Sequence, residues 1–458
     1  MIFVALCGLV AAVVAVARSA PEAFLNVYLP VLLLMPDYYR WIMPALPDPT
    51  MGEAALLPIA AVFLARNLSS WKFSFTDVLV GGLAASMGYS ELLNSGFADA
   101  QNLIFDALST IVLPYMLAKG LIEPFHLRAA FARRFVFLLF AVALIGMYEF
   151  RFGATPWQLV LSRFFPGQGA GWVTTFRWGF ARVAGPYGHA IIAGLIMAIG
   201  YRLQRWLEWS NLWEGRFRWP RLKWSKARVI TAGLVAGVMM SMVRGPWIGS
   251  ICGAVFCAIG RARDRKRAFR LFAAGIVLVA VPLAIAAYSY ASVGRAAAKT
   301  ASQETAAYRK ELIDKYVAIA LEKSMWGWGR NGWPKVSGMP SIDNYYLLLA
   351  LMHGLVALGL FLTIIFSMVI RLSSRGMREP VPSRRGASLP FTLAGIYIAI
   401  AVTIATVFMG TQMTPIFAII TGWSEGYLLC ATSQQILGST PEKTEAVTPR
   451  HRYRRIVS

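Results

Sequence analysis

Acidic residues are scarce in this sequence: 22 Asp and Glu stand against 45 Lys and Arg in 458 residues, a formal net charge of +23. In a soluble chain that balance would suggest nucleic acid. Here the Lys and Arg collect in short loops between apolar runs, as the positive-inside rule produces, and no nucleic-acid partner is expected. Cysteine is almost absent too. Cys7, Cys252, Cys257 and Cys430 all lie inside apolar runs without metal-ligand spacing and read as small core hydrophobes. The sequence has no Gly-rich phosphate loop, no zinc-spaced His/Cys cluster, no exposed nucleophile serine and no repeat of fixed period. The first apolar run lacks a basic leader, so it is expected to remain as a helix and not to be cleaved.

What the chain has instead is apolar length. Hydrophobic residues make up 57% of it and the mean hydropathy is +0.56. Apolar runs long enough to approach the 30 Å of a bilayer core recur throughout, which implies an all-α polytopic membrane protein of about 12–14 transmembrane helices. Candidate spans fall at about 2–17, 22–36, 51–65, 76–94, 101–119, 133–150, 184–201, 229–243, 246–260, 268–290, 343–370, 389–409 and 414–436. The organisation that follows has five parts. Residues 1–150 are N-terminal helices, and 151–290 are a second helical region with a polar outer segment. Residues 291–342 form a long loop with short helices, 343–436 the C-terminal helices, and 437–458 a basic tail.

Orientation comes from the basic stretches His126 to Arg134, Arg202 to Arg228, Arg261 to Arg270, Arg371 to Arg385 and Lys443 to Arg455. The spans place all five on one side, which the positive-inside rule makes cytoplasmic. The loop at Arg216 to Arg221 has a second use open to it, contact with anionic headgroups, beside plain topology retention. The outer side then holds 151–182 and 291–342. The arms flanking Arg244-Gly245-Pro246-Trp247 have about 15 residues each and rise only about 22 Å, so that turn is expected below the outer surface.

Three outward positions stand apart: Arg182 opening a helix, Arg244 at the short hairpin and Asp343 starting a helix after the long loop. The fork of an Arg suits a phosphate or pyrophosphate, and Arg151, Arg163 and Arg177 add positive charge with no acid among them. Each Arg also has an ordinary reading as an interfacial snorkelling residue. Asp343 reads either as a helix N-cap or as a functional carboxylate. His189 and His353 read as packing residues before bases. The tryptophans at 157, 172, 178, 326, 328 and 333 suit a membrane-interface belt or stacking against sugars.

Arg182-Val-Ala-Gly-Pro-Tyr-Gly-His, Val243-Arg-Gly-Pro-Trp-Ile-Gly, Tyr308-Arg-Lys-Glu-Leu, Trp326-Gly-Trp-Gly-Arg and Asp343-Asn-Tyr-Tyr-Leu, running on to Met352-His-Gly-Leu, occur in that order. Together they resemble the bacterial O-antigen polymerase and O-antigen ligase superfamily of GT-C type membrane glycosyltransferases. The resemblance implies an inner-membrane enzyme with its active site facing the periplasm and its C-terminus in the cytoplasm. Such an enzyme moves a glycan from undecaprenyl pyrophosphate to an acceptor hydroxyl without a metal or other cofactor. By position, Arg182 and Arg244 would hold the pyrophosphate and Asp343 would be the general base, with inversion at the anomeric carbon. Arg309, Asn344, Tyr187, His189, Trp326, Trp328, Arg330 and Arg177 would contact substrate, the Trp326–Trp333 stretch as a glycan-facing lid.

The related ligases typically carry His before the Asn where this chain has Asp343. That difference favours a polymerase of exopolysaccharide, capsule or O-antigen repeat units over a ligase acting on lipid A core or another acceptor; it also leaves Asp343 a role in positioning the acceptor. Flippase and chain-length co-polymerase proteins are the partners such a polymerase implies, beside membrane lipids. A transporter or flippase without catalysis is the alternative of another class, and it expects polar residues at mid-membrane in several helices.

Overall fold

A computed structural model describes residues 1–43, 47–68, 71–169, 171, 174–213, 225–339, 341–380 and 386–438. Trp172, the loop at Arg216 to Arg221, residues 381–385 and the basic tail from 439 onward lie outside the described residues. The chain is almost wholly helical. In order it forms α1 (Ile2–Ala17), α2 (Ala20–Leu34), α3 (Met51–Asn67), α4 (Phe75–Ser95), α5 (Phe97–Leu121), α6 (Arg128–Phe152) and the short α7 (Pro156–Leu161). A hairpin of β1 (Phe176–Arg177) and β2 (Phe180–Ala181) follows. Then come α8 (Ala190–Trp209), α9 (Lys226–Met240), α10 (Arg244–Ile259), α11 (Arg265–Ala291), α12 (Ala301–Glu322), α13 (Tyr345–Arg378), α14 (Leu389–Ile404) and α15 (Met413–Gly438).

Among the described residues α5, α6, α11 and α13 are long and apolar enough to cross a membrane, and α1, α2, α10 and α14 are shorter apolar helices. Helix starts follow ordinary capping chemistry. Thr50 and Glu53 close a capping box on α3, Ser74 and Asp77 another on α4, and Thr300 caps α12.

The described parts of the basic loops, around Arg128, Arg261 to Arg265 and Arg371 to Pro380, gather at one end of the bundle. Arg265 donates to the carbonyls of Gly376, Glu379 and Pro380, and Glu379 accepts from the hydroxyl of Tyr427. The Arg128 guanidinium lies 5.0 Å from the centre of the Tyr427 ring, and Arg261 lies 3.9 Å from Trp209. Charges that enter the bundle near this end are paired, as hydrocarbon requires: Lys119 with Asp77 at 2.6 Å and Arg371 with Glu425 at 2.7 Å. The opposite end carries the β-hairpin, the 241–244 turn, the 324–344 loop and the 405–412 turn.

Two glycine contacts set how the helices pack. Gly253 and Gly395 face each other so closely that a Cβ on either would come within 2.7 Å of the other's carbonyl oxygen, which lets α10 lie tight on α14. Within α13 the helix breaks at Gly354, whose φ of +78° and ψ of 179° suit only glycine. The loop before α13 plugs into this break: Leu355 N–H donates to Ser324, Trp328 N–H to Leu351 and Gly329 N–H to Met352. A Cβ at 354 would stand 2.1 Å from the Met325 carbonyl oxygen. Gly354→Ala therefore costs about 3 kcal/mol or more. Thermal unfolding in detergent checks this, and an unchanged midpoint contradicts it.

The expected spans agree with the helices, with two exceptions that bear on function. The span placed at 184–201 starts as a helix only at Ala190. Gly185 and Gly188, at φ +60° and +66°, instead bend 182–189 into a 3-10 turn, so Arg182 does not open a helix. The helix placed at 343 begins at Tyr345 with Asn344 as its N-cap.

Candidate active site

The cap of α13 decides what Asp343 is free to do. The Asn344 side chain accepts from Leu347 N–H at 3.2 Å, which is the bond an N-cap makes, so the capping role falls to Asn344 and not to Asp343. Asp343 is half-buried, and its carboxylate has no hydrogen bond or ion pair among the described residues. Its neighbours are nonetheless fixed. Tyr345 N–H donates to Val407 at 3.1 Å, Tyr346 to Ala401 at 2.9 Å, and the Tyr308 hydroxyl of α12 to Ser341 at 2.8 Å.

The turn after α14 links Asp343 to the arginines. The Thr403 hydroxyl reaches the Gly245 carbonyl, and a Cβ on Gly245 would lie 2.8 Å from Thr406 Oγ1, so Arg244-Gly245 packs on one side of the 403–407 turn while Tyr345 bonds the other. Arg244 is the first residue of α10, exposed, with no ion pair or hydrogen bond among the described residues. The β-hairpin joins from the far side: Arg177 donates to the Met242 carbonyl at 2.7 Å and Val183 N–H to Met240 at 3.1 Å. Arg182 bonds Thr175 Oγ1 at 3.1 Å, and burial together with the charge of Arg177 pushes its pKa down. Two cations that press on each other in a half-buried setting make a place where an anion is welcome.

The turn that presents Arg182 is held by a residue that the sequence reading did not single out. Glu149, fully buried near the end of α6, accepts the backbone N–H of Ala184 and of Gly185, each at 2.9 Å. Its position at the end of an apolar helix, just before the arginine-rich segment, was the available signal. Glu149→Gln turns one acceptor into a donor facing an N–H and costs about 1–3 kcal/mol. Thermal unfolding checks it, and wild-type stability contradicts it.

Not every candidate joins this group. Nδ1 of His189 accepts from Ile191 N–H as the cap of α8, and burial and Arg182 push its pKa down to about 4, so it adds no charge near neutral pH. Its ring meets Phe408 edge-on at 5.6 Å, on the same 403–411 segment. Tyr187 is buried, with its hydroxyl on the Leu33 carbonyl. Trp326 packs edge-on to Tyr89, Trp328 gives its indole N–H to Ile319, and Arg330 binds Glu91. These bonds hold 326–330 in the bundle, beside the Gly354 break. Arg309 stands exposed on α12 beside Tyr308.

An open cleft of about 460 Å³ runs beside the group, lined by Asp37, Tyr187, His189, Phe408 and Thr411. Burial raises the Asp37 carboxyl to about 7 against the pull of Arg40, and the carboxylate accepts a bond from Thr411. A raised folded-state pKa means that this group's contribution to stability is complete below about pH 4 and is lost as pH rises through about 7. Wild type is therefore expected to lose more thermal stability than Asp37→Asn between pH 4 and pH 7; parallel profiles contradict this. Among the described residues no three His, Cys, Asp or Glu side chains are grouped to hold a metal.

Residues 229–362 match the Wzy_C family model, described as O-antigen ligase. The matched stretch contains Arg244, Arg309, Trp326, Trp328, Arg330, Asp343 and Asn344, and leaves Arg177, Arg182, Tyr187 and His189 outside it. The match is consistent with the O-antigen polymerase and ligase superfamily and supports a membrane enzyme of that kind. No curated protein matches the chain.

Proposed function

We propose that this protein is a glycosyltransferase of the bacterial inner membrane. In this reading it polymerises undecaprenyl-pyrophosphate-linked repeat units into exopolysaccharide, capsule or O-antigen, on the periplasmic face and without a metal. The observation that carries it is the carboxylate of Asp343, unpaired among the described residues, released from capping by Asn344 and set across the 403–407 turn from the guanidinium of Arg244, which also has no partner among them. A base facing an anion-binding cation is what glycan transfer from a pyrophosphate needs. The acceptor hydroxyl attacks the anomeric carbon and gives its proton to Asp343. As that bond forms, the bond from the anomeric carbon to the pyrophosphate oxygen breaks, and the charge left on the carrier falls to Arg244, Arg182 and Arg177. One displacement inverts the anomeric centre. The gathering of the described basic stretches at the far end of the bundle supports a periplasmic site.

The description of the matched family favours a second reading, a ligase that delivers the glycan to lipid A core or another acceptor. Product analysis of a deletion strain separates the two. A polymerase deletion leaves single repeat units, whereas a ligase deletion leaves long chains on the lipid carrier. A deletion with unaltered glycans contradicts both readings.

A further inference from the structure

Beside the cleft lies a cavity of about 260 Å³ between α2, α3, α4, α5, α13 and the start of α15, sharing Asp37, Met409 and Thr411 with it. Its deeper wall is apolar, with Leu83, Phe361 and Phe417. Its charges differ from those of the arginine group. Arg40 and Arg330 both line it, but both reach the same carboxylate, Asp106, at 3.4 and 3.7 Å, and Glu53 and Asp37 add further acid. A phosphate gains little from arginines already matched by carboxylates.

Two buried side chains in the same wall define what the cavity accepts. Gln412 is 3% exposed; its Nε2 donates to the Met35 carbonyl at 2.7 Å, which fixes the amide, and its Oε1 has no partner among the described residues. That oxygen only accepts. His353, 1% exposed and directly before the break in α13, has neither ring nitrogen bonded among the described residues. A neutral imidazole offers one donor and one acceptor. A ligand that satisfies both residues must carry O–H donors as well as acceptors and need not be charged, while the apolar wall and the Phe361 ring suit the carbon faces of sugar rings. Tyr345, two residues past Asp343, lines the cavity as well.

We propose that this cavity binds neutral sugar residues of the acceptor glycan, with His353 and Gln412 bonding their hydroxyls. The assignment rests on the glycan-transfer reading above and places the acceptor on the α13 side of Asp343, away from the arginine group that faces the donor pyrophosphate.

The test is photo-crosslinking of the full-length protein in cells making the glycan, with benzoylphenylalanine at Met352, which lines the cavity, and separately at Ile248, one turn from Arg244 on α10. Yields are normalised to detergent-soluble full-length protein. Mass analysis is expected to show neutral sugar residues on the Met352 adduct and the polyprenyl carrier on the Ile248 adduct. His353→Leu should lower the Met352 adduct about tenfold, whereas His353→Gln, which keeps a donor and an acceptor, should hold it within about twofold. A Met352 adduct of carrier or phospholipid without sugar overturns the proposal. So does the absence of a Met352 adduct while Ile248 traps the carrier, since the cavity then holds only water. Sugar at Met352 with no carrier at Ile248 supports the cavity assignment and counts against the donor site instead. Absence at both positions overturns the glycan-transfer reading together with this one.

Discussion

Asp343→Asn is expected to lower glycan transfer by about 10²–10⁴-fold, the range that general-base catalysis supplies, while leaving the thermal unfolding midpoint unchanged. The two halves of that expectation come from one observation. Because Asn344 makes the capping bond of α13 and Asp343 makes none among the described residues, neutralising Asp343 removes no structural contact. A carboxylate that served as an N-cap would behave differently, since Asn is as good a cap as Asp and activity would persist. Polymer yield and chain length in a complemented deletion strain give the activity, and the purified variant gives the stability. Near wild-type polymer from Asp343→Asn contradicts the assignment of the base.

Arg244→Ala is expected to lower transfer by about 10²–10³-fold, as loss of a preorganised donor to developing negative charge does. Arg244→Lys keeps the charge and loses the planar fork, so it should recover only part of that loss. Neither change should alter folding, because Arg244 is exposed and bonded to nothing else among the described residues. Arg177 is a useful contrast. It donates to the Met242 carbonyl and so helps to hold the turn before α10, and its loss should reduce stability as well as activity. Full activity in Arg244→Lys would show that point charge alone suffices at this position and would remove the argument for bidentate pyrophosphate binding.

Much of this architecture was legible in the sequence because the signals were local. Apolar runs and their basic flanks located the helices, and the short arms around Arg244 appear as α9 and α10, of 15 and 16 residues. The order of the motifs pointed to the family whose model matches 229–362. What escaped depends on contacts between residues far apart in the chain. The 176–181 hairpin is two short strands set by Trp178 and Gly179 at positive φ, too brief for an alternation pattern. Glu149 looks like one acid at a helix end until the 184–185 amides are seen to fold onto it. The 403–411 segment reads as a plain turn, yet it meets Asp343's helix, Arg244's helix and His189. Trp328 and Arg330 also make contacts that the sequence hides: they bond Ile319 and Glu91 beside the break at Gly354, and nothing in Trp-Gly-Trp-Gly-Arg announces a partner on α4 or α12. The cap at 344 was also ambiguous in sequence, since Asp and Asn are equally good caps and only the bond to Leu347 N–H separates them.

The most direct measurement is reconstitution of the purified protein in nanodiscs with a single lipid-linked repeat unit and a chelator. The account predicts release of undecaprenyl pyrophosphate, growth of a polysaccharide ladder on the remaining carrier, and an inverted configuration at each new linkage. Release must disappear in Asp343→Asn and in Arg244→Ala. Intact lipid-linked repeat units after incubation with the folded wild-type protein, or a ladder that grows equally well with Asp343→Asn, would contradict it.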